Sequence, residues 1–253
     1  MMQLCQIGAG YGNGLILKNI SVVFPKGKVT VLVGPNGCGK STLLRVAARL
    51  LKPEQGQLLL EGERADTMAR KEFARHVALL PQSRSIPEIT VGALVLHGRF
   101  PYLGYPRRYT AKDRQKARRA MEQVGVAELE HESVARLSGG QRQKVYLAMA
   151  VAQDTPVLLL DEPATYLDIA HQLELTSLAR VLAREGKAVV MVLHDLNLAL
   201  NCADEVVVME QGEVRQVGTP EEVYRSGVLE QVFRVKVRAV ETEKGKQYLF
   251  FSK

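Results

Sequence analysis

The 253 residues contain no run of about 18 or more apolar side chains, so no segment is long enough to cross a bilayer as a helix. The opening, MMQLCQIGAGYGNG, lacks the basic start and apolar block of a secretion signal, and residence in the cytoplasm is the expectation. Cysteine is scarce and odd in number. Cys5, Cys38 and Cys202 form no C-x-x-C pair, which argues against a disulfide framework or a thiolate zinc site and for reduced thiols. There is no internal repeat, low-complexity tract or disordered linker, and the length suits one large domain or one core with an inserted subdomain.

What is present is ordinary for a protein with a sizeable core: 46% hydrophobic and 24% charged residues. The net charge is +7, from 34 Lys and Arg against 27 Asp and Glu. That surplus suits nucleic acid, an acidic membrane surface or a nucleotide without choosing among them. The basic residues cluster in RRYTAKDRQKARR at 107–119, which reads as a solvated helix face.

Four short runs are apolar on both faces: VTVLV at 29–33, VALL at 77–80, VLLL at 157–160 and VVMVL at 189–193. Such runs suit strands buried on both sides in a parallel sheet, and the helical segments between them imply an α/β fold. Each run ends in chemistry. The first opens into GPNGCGKS, the second into Pro81-Gln82, the third into Asp161-Glu162 and the fourth into His194-Asp195. Ligands of open α/β sheets collect at the carboxyl ends of strands, so these endings outline a site.

The first ending carries the most information. Gly34, Pro35, Asn36, Gly37, Cys38, Gly39, Lys40 and Ser41, followed by Thr42, fit G-x-x-x-x-G-K-[ST] between a strand and a helix. The glycines let backbone N–H groups curl around phosphate oxygens, and the helix starting near Lys40 adds the positive end of its dipole. Lys40 is placed for the β- and γ-phosphates of ATP and Ser41 for Mg²⁺. The helix is expected to continue through TLLRVAARLL and stop at Pro53. Asp161 can hold hydrated Mg²⁺, and Glu162 can orient or deprotonate water at the γ-phosphate. A thiol at a helix N-terminus tends to ionise, so Cys38 is expected to be reactive.

LSGGQ at 137–141 is a second glycine-rich helix entry. Ser138 and Gln141 form an S-x-x-Q capping box, while Gly139 and Gly140 bare the backbone, so the loop reads as a second anion receptor.

Taken together, these motifs resemble the ATP-binding cassette (ABC) ATPases, over nearly the whole chain and in the family's order. The resemblance implies a P-loop ATPase core with a mostly parallel sheet, an N-terminal antiparallel β subdomain and an inserted helical subdomain. Residues 1–86 and 156–253 would form the core with its β subdomain, and 87–155 the helical part. It further implies that Tyr11 stacks on adenine, Gln82 reaches Mg²⁺ and the attacking water, and His194 senses the γ-phosphate. Ser138, Gly139, Gly140, Gln141 and Asp168 would meet the ATP of a second copy in a head-to-tail homodimer. The glycine-rich start does not make a dinucleotide fingerprint, because Asn13 stands at the third glycine position of G-x-G-x-x-G.

The finer match is to the iron-chelate, haem and cobalamin import group, through GRFPY at 98–102, LSGGQRQKVYLAMAVAQ at 137–153, LDIAHQLEL at 167–175 and LHDLNLAL at 193–200. That implies two membrane permease subunits docking near 83–105, with Phe100, Tyr102 and Tyr105 as candidate anchors. It also implies an extracytoplasmic binding protein and a station on the cytoplasmic face of the membrane. No nucleic acid is expected. A soluble ATPase acting on DNA or RNA is the alternative, supported only by the stretch 107–119. Further along, Thr90, Thr110 (with Asp113) and Thr219 (with Pro220 and Glu222) are expected helix caps, and the tail is expected to form two strands around EKGK.

Overall fold

The computed structural model describes residues 1–12, 14–82, 86–243 and 245–252. Asn13, the first residues of the stretch 83–105 and Lys244 of EKGK therefore lie outside the described residues.

In chain order, β1 (Met2–Gly10), β2 (Leu15–Phe24) and β3 (Val29–Val33) lead into α1 (Lys40–Ala47). Then come β4 (Gln55–Leu60), β5 (Glu63–Arg64), α2 (Arg70–Phe73) and β6 (Val77–Leu80). Three helices follow: α3 (Val91–His97), α4 (Ala111–Val124) and α5 (Gly139–Ala152). The chain returns through β7 (Val157–Asp161), α6 (Ile169–Arg184), β8 (Ala188–Val192), α7 (Leu196–Cys202), β9 (Glu205–Glu210) and β10 (Glu213–Gly218). It closes with α8 (Pro220–Arg225), α9 (Val228–Phe233) and the hairpin β11 (Val235–Thr242) and β12 (Gly245–Ser252).

The main sheet has the order β10-β9-β3-β8-β7-β6. Its strands run parallel except for β10, which pairs antiparallel with β9. A second, antiparallel sheet has the order β2-β1-β4-β5. The four apolar runs seen in the sequence are the strands β3, β6, β7 and β8, and three of them are buried along their whole length. Their period-2 alternation feeds two cores. On β3, Val29, Val31 and Val33 face a core shared with α3, α4, α5 and α6, whereas Leu32 faces the antiparallel sheet and α1. On β7, Leu158 and Leu160 take the first side, and Val157 and Leu159 the second.

The helical insertion is held by the residues its sequence offered. Thr90 and Thr110 cap α3 and α4, the latter as a full capping box, and outside the insertion Thr219 does the same for α8. Ala117, Ala120, Met121 and Val124 form the buried face of α4.

One helix departs from expectation. α1 ends at Ala47, well short of Pro53. Arg49 adopts φ +56, and the N–H groups of Leu50 and Leu51 fold back onto the Arg45 carbonyl at 2.8 and 3.1 Å. The Arg49 guanidinium donates to Met68 O at 2.9 Å and lies 4.9 Å from the Phe73 ring centre. A tertiary anchor, rather than the distant proline, ends the helix.

Candidate active site

The carboxyl ends of β3, β6, β7 and β8 surround a cleft of about 520 Å³. Asn36, Gly37, Gly39, Lys40, Ser41 and Thr42 line it, together with Gln82, Glu162, His194 and Ile16. Every strand ending singled out in the sequence thus contributes to one place.

The phosphate loop depends on backbone that only glycine adopts readily. Gly39 has φ +104 and is the N-cap of α1, and a Cβ there would lie 2.8 Å from Leu17 Cδ2. The antiparallel sheet is therefore the floor on which the loop rests. No side chain caps α1, so its first N–H groups remain open to an anion. Lys40, 5% exposed, donates from Nζ to Gly34 O at 2.7 Å and Pro35 O at 3.0 Å, which folds the loop over its own lysine.

Opposite the loop, Ser41 donates to Asp161 Oδ1 at 2.9 Å. Burial pushes the Asp161 carboxyl above the usual carboxylate range, against the pull of Ser41, Arg45 and Lys40. Next along, Glu162 adopts φ +52, and its carboxylate is held on both oxygens. Gln82 donates to Oε2 at 2.7 Å, and His194 Nε2 lies 2.7 Å from Oε1. Gln82, Glu162 and His194 come from three different strand ends and meet at one carboxylate.

The remaining predicted residues form a second group. Ser138 caps α5, accepting from Gln141 N–H at 3.3 Å while Gln141 Oε1 accepts from Ser138 N–H at 3.0 Å. Gly139 and Gly140 pack against Tyr166 and Leu167, and Asp168 caps α6 by accepting from His171 N–H at 2.9 Å. None of these five lines the cleft in the same chain. Tyr11 also lies outside it. Half exposed, its hydroxyl accepts from Arg45 at 3.1 Å.

One expectation is overturned. The Cys38 thiol is 4% exposed, and burial pushes its pKa up, with Lys40 only partly opposing. Cys38 lies within the loop, just before the Gly39 cap, and the burial of its thiol outweighs the pull of Lys40. Tyr102 is likewise no free anchor. Its ring stacks 3.8 Å from the Arg99 guanidinium, and its hydroxyl donates to Asp154 O at 3.3 Å, whereas Tyr105 is 99% exposed.

Three participants carry no motif of their own. Ile16 of β2 lines the cleft, Arg45 joins Tyr11 to the field around Asp161, and Gln143 of α5 reaches the main chain beside Glu162. Only the sheet-to-sheet packing and the approach of α5 to β7 bring them in.

A phosphate loop beside an acidic strand end, with a helical segment between β6 and β7 carrying the capped, glycine-rich entry of α5, points to an ATPase of the cassette class. A family model described as "ABC transporter" matches residues 17–165. The chain is 43% identical over 237 residues to the iron(3+)-hydroxamate import ATP-binding protein FhuC of Bacillus subtilis, covering 93% of this chain and 88% of that protein. It is 45% identical to the achromobactin transport ATP-binding protein CbrD of Dickeya dadantii, again over 93% and 88%. The ferric enterobactin transport ATP-binding protein FepC of Escherichia coli is 40% identical, with the same coverage. Among solved structures, a putative metal-chelate type ABC transporter in an inward-facing conformation superposes with a TM-score of 0.84 at 25% identity, covering 98% of this chain and 95% of that one. The chain belongs to the ABC transporter family and is one of its ATP-hydrolysing cassettes.

Proposed function

We propose that the chain powers uptake of a ferric siderophore or similar metal chelate through two separate permease subunits, stationed at the cytoplasmic face of the membrane. The observation that carries this reading is identity of 40–45% across 93% of the chain to ATP-binding proteins of three siderophore systems. No helix among the described residues is long and apolar enough to cross a membrane, in keeping with a pore supplied by other chains. Haem and cobalamin complexes belong to the same cargo class. Residues 87–155 act as a helical subdomain between the two parts of the nucleotide core, and the stretch 83–105 meets the permease, with Tyr105 as its most exposed aromatic.

In this reading Gly34, Pro35, Asn36, Gly37, Cys38, Gly39, Lys40, Ser41 and Thr42 hold the phosphates of ATP, and Tyr11 lies by the base. The oxygen donors Ser41 Oγ and Asp161 Oδ1, 2.9 Å apart, with Gln82 in the same cleft, fit Mg²⁺, which takes oxygen ligands and keeps several waters. Bound there, Mg²⁺ would neutralise charge developing on the phosphates. Glu162 takes a proton from, or orients, the attacking water, for which its carboxylate oxygens, each with one contact from Gln82 or His194, keep further acceptor capacity. Ser138, Gly139, Gly140, Gln141 and Asp168 close over the ATP of a second copy. That none of the five lines the cleft of its own chain supports this.

The test is pull-down of the tagged chain from native membranes, with uptake of radio-iron as ferric siderophore measured in a strain carrying Lys40→Ala. Co-purification of a polytopic permease and loss of uptake are expected. Capture of nucleic acid instead, with binding that weakens steeply with salt, would overturn the reading.

A further inference from the structure

Gln143 stands two residues beyond Gln141, at the start of α5. Its Nε2 donates to Pro163 O at 2.9 Å and lies 3.5 Å from Glu162 O. The main chain it grips is unusual. Glu162 sits in the left-handed region, which is unfavourable for a non-glycine residue and persists only where the surroundings enforce it. Besides the Gln82 and His194 contacts to its carboxylate, the main chain of the turn gives Glu162 little support. Pro163 has no N–H to donate, and Thr165 N–H reaches Glu162 O at only 3.3 Å. At the other end of the segment, Tyr166 also has positive φ and backs onto the signature glycines, with its carbonyl 3.4 Å from where a Gly140 Cβ would stand. Residues 162–167 are therefore held from the α5 side at Pro163 and Tyr166, and from α6 by Gln172, whose Nε2 donates to Leu167 O at 3.1 Å.

We propose that Gln143 is a positioning residue that carries movement of the Ser138–Gln141 loop to Glu162 of the same chain. The proposal rests on the reading above, in which that loop clasps ATP held by the second copy while Glu162 acts on ATP held by its own. Each chain then joins the two nucleotide sites. Closure of α5 on one nucleotide sets the peptide that aims the carboxylate at the other. The link is from side chain to main chain, so it depends on a donor at position 143 and not on the Glu162 side chain.

The experiment compares steady-state ATP hydrolysis by the full chain with Gln143→Leu, Gln143→Glu and Gln143→Lys. The parent is expected to respond cooperatively to ATP. Gln143→Leu and Gln143→Glu, which lack a donor, are expected to lose roughly tenfold in kcat, the effect of about one hydrogen bond. They keep KM and fall to a Hill coefficient near unity, while Gln143→Lys keeps a donor and retains much of both. Should Gln143→Leu fail to fold, the Lys and Glu variants decide by themselves. Parent-like kcat and cooperativity in Gln143→Glu, equal losses in Gln143→Lys and Gln143→Glu, or a non-cooperative parent would overturn the proposal. Glu162→Gln is run alongside. If it turns over ATP normally, the site reading itself fails; if it is inactive while Gln143→Glu behaves as the parent, only the coupling fails.

Discussion

His194 Nε2 lies 2.7 Å from Glu162 Oε1, although the two residues end different strands of the main sheet. The contact gives the imidazole a specific task, to hold one oxygen of the carboxylate that faces the cleft while Gln82 holds the other. His194→Ala is expected to lower kcat for ATP hydrolysis on the order of a hundredfold while leaving nucleotide affinity close to the parent's, since the phosphate loop is untouched. Turnover assays paired with fluorescent-nucleotide titration check this. Unchanged turnover would remove His194 from the reaction.

The helical insertion carries a buried ion pair that has no part in the chemistry. Arg99 donates to Asp113 Oδ1 at 3.1 Å, with side chains 5% and 9% exposed, and also to the carbonyls of Ala152 and Gln153 at 3.0 Å. It thereby pins the loop after α3 to the end of α5. Breaking such a pair leaves an uncompensated buried charge, so Arg99→Met should cost about 3–5 kcal/mol in denaturant unfolding. A loss below ~1 kcal/mol would show that the pair is solvated in solution.

Asp154 gives a pH signature. Burial works against its charge, but hydrogen bonds from Lys116 and Lys187 bring its pKa from 3.8 down to about 2. A carboxyl depressed in the folded state adds stability that is fully present above the unfolded value and is lost as pH falls through the folded one. The contribution should therefore be constant at neutral pH, shrink below about pH 4 and vanish near pH 2. With the side chain 41% exposed, screening reduces it to about 1 kcal/mol. Asp154→Asn, which tolerates the positive φ at this position, should lose that amount at pH 7 and progressively less on acidification, as read by denaturant unfolding at each pH.

The buried thiols should be slow to react. Cys38 and Cys202 are 4% and 3% exposed, and burial pushes Cys202 up to about 12, whereas Cys5 is half-buried. Maleimide labelling followed by mass spectrometry should modify Cys5 first in the native protein, and all three cysteines in denaturant. Fast native labelling of Cys38 would restore the ionised thiol expected from its place in the loop.

The parallel strands were legible because their apolar runs are short, unbroken and closed by polar residues, and the caps at Thr110, Ser138 and Thr219 because a capping box is a local pattern. The end of α1 was not legible, since it depends on Arg49 finding the carbonyl of Met68 and the ring of Phe73, partners that only the fold supplies. Cys38 was misread for a related reason. Its place beside a helix start is visible in sequence, but the packing that buries it is not. Gln143 and Ile16 lie in segments whose local pattern speaks only of helix and strand, and tertiary approach alone brings them to the site.

Assembly by ATP is measured most directly as the molar mass of Glu162→Gln, by light scattering on a sizing column with and without ATP and Mg²⁺. A shift from the mass of one chain to that of two on adding nucleotide is the expected result, abolished when Ser138 and Gly139 are replaced by bulky residues. A mass that stays at one chain at every nucleotide concentration, while the bulky variant with Glu162 restored hydrolyses ATP at the parent rate, would contradict a site shared between two copies.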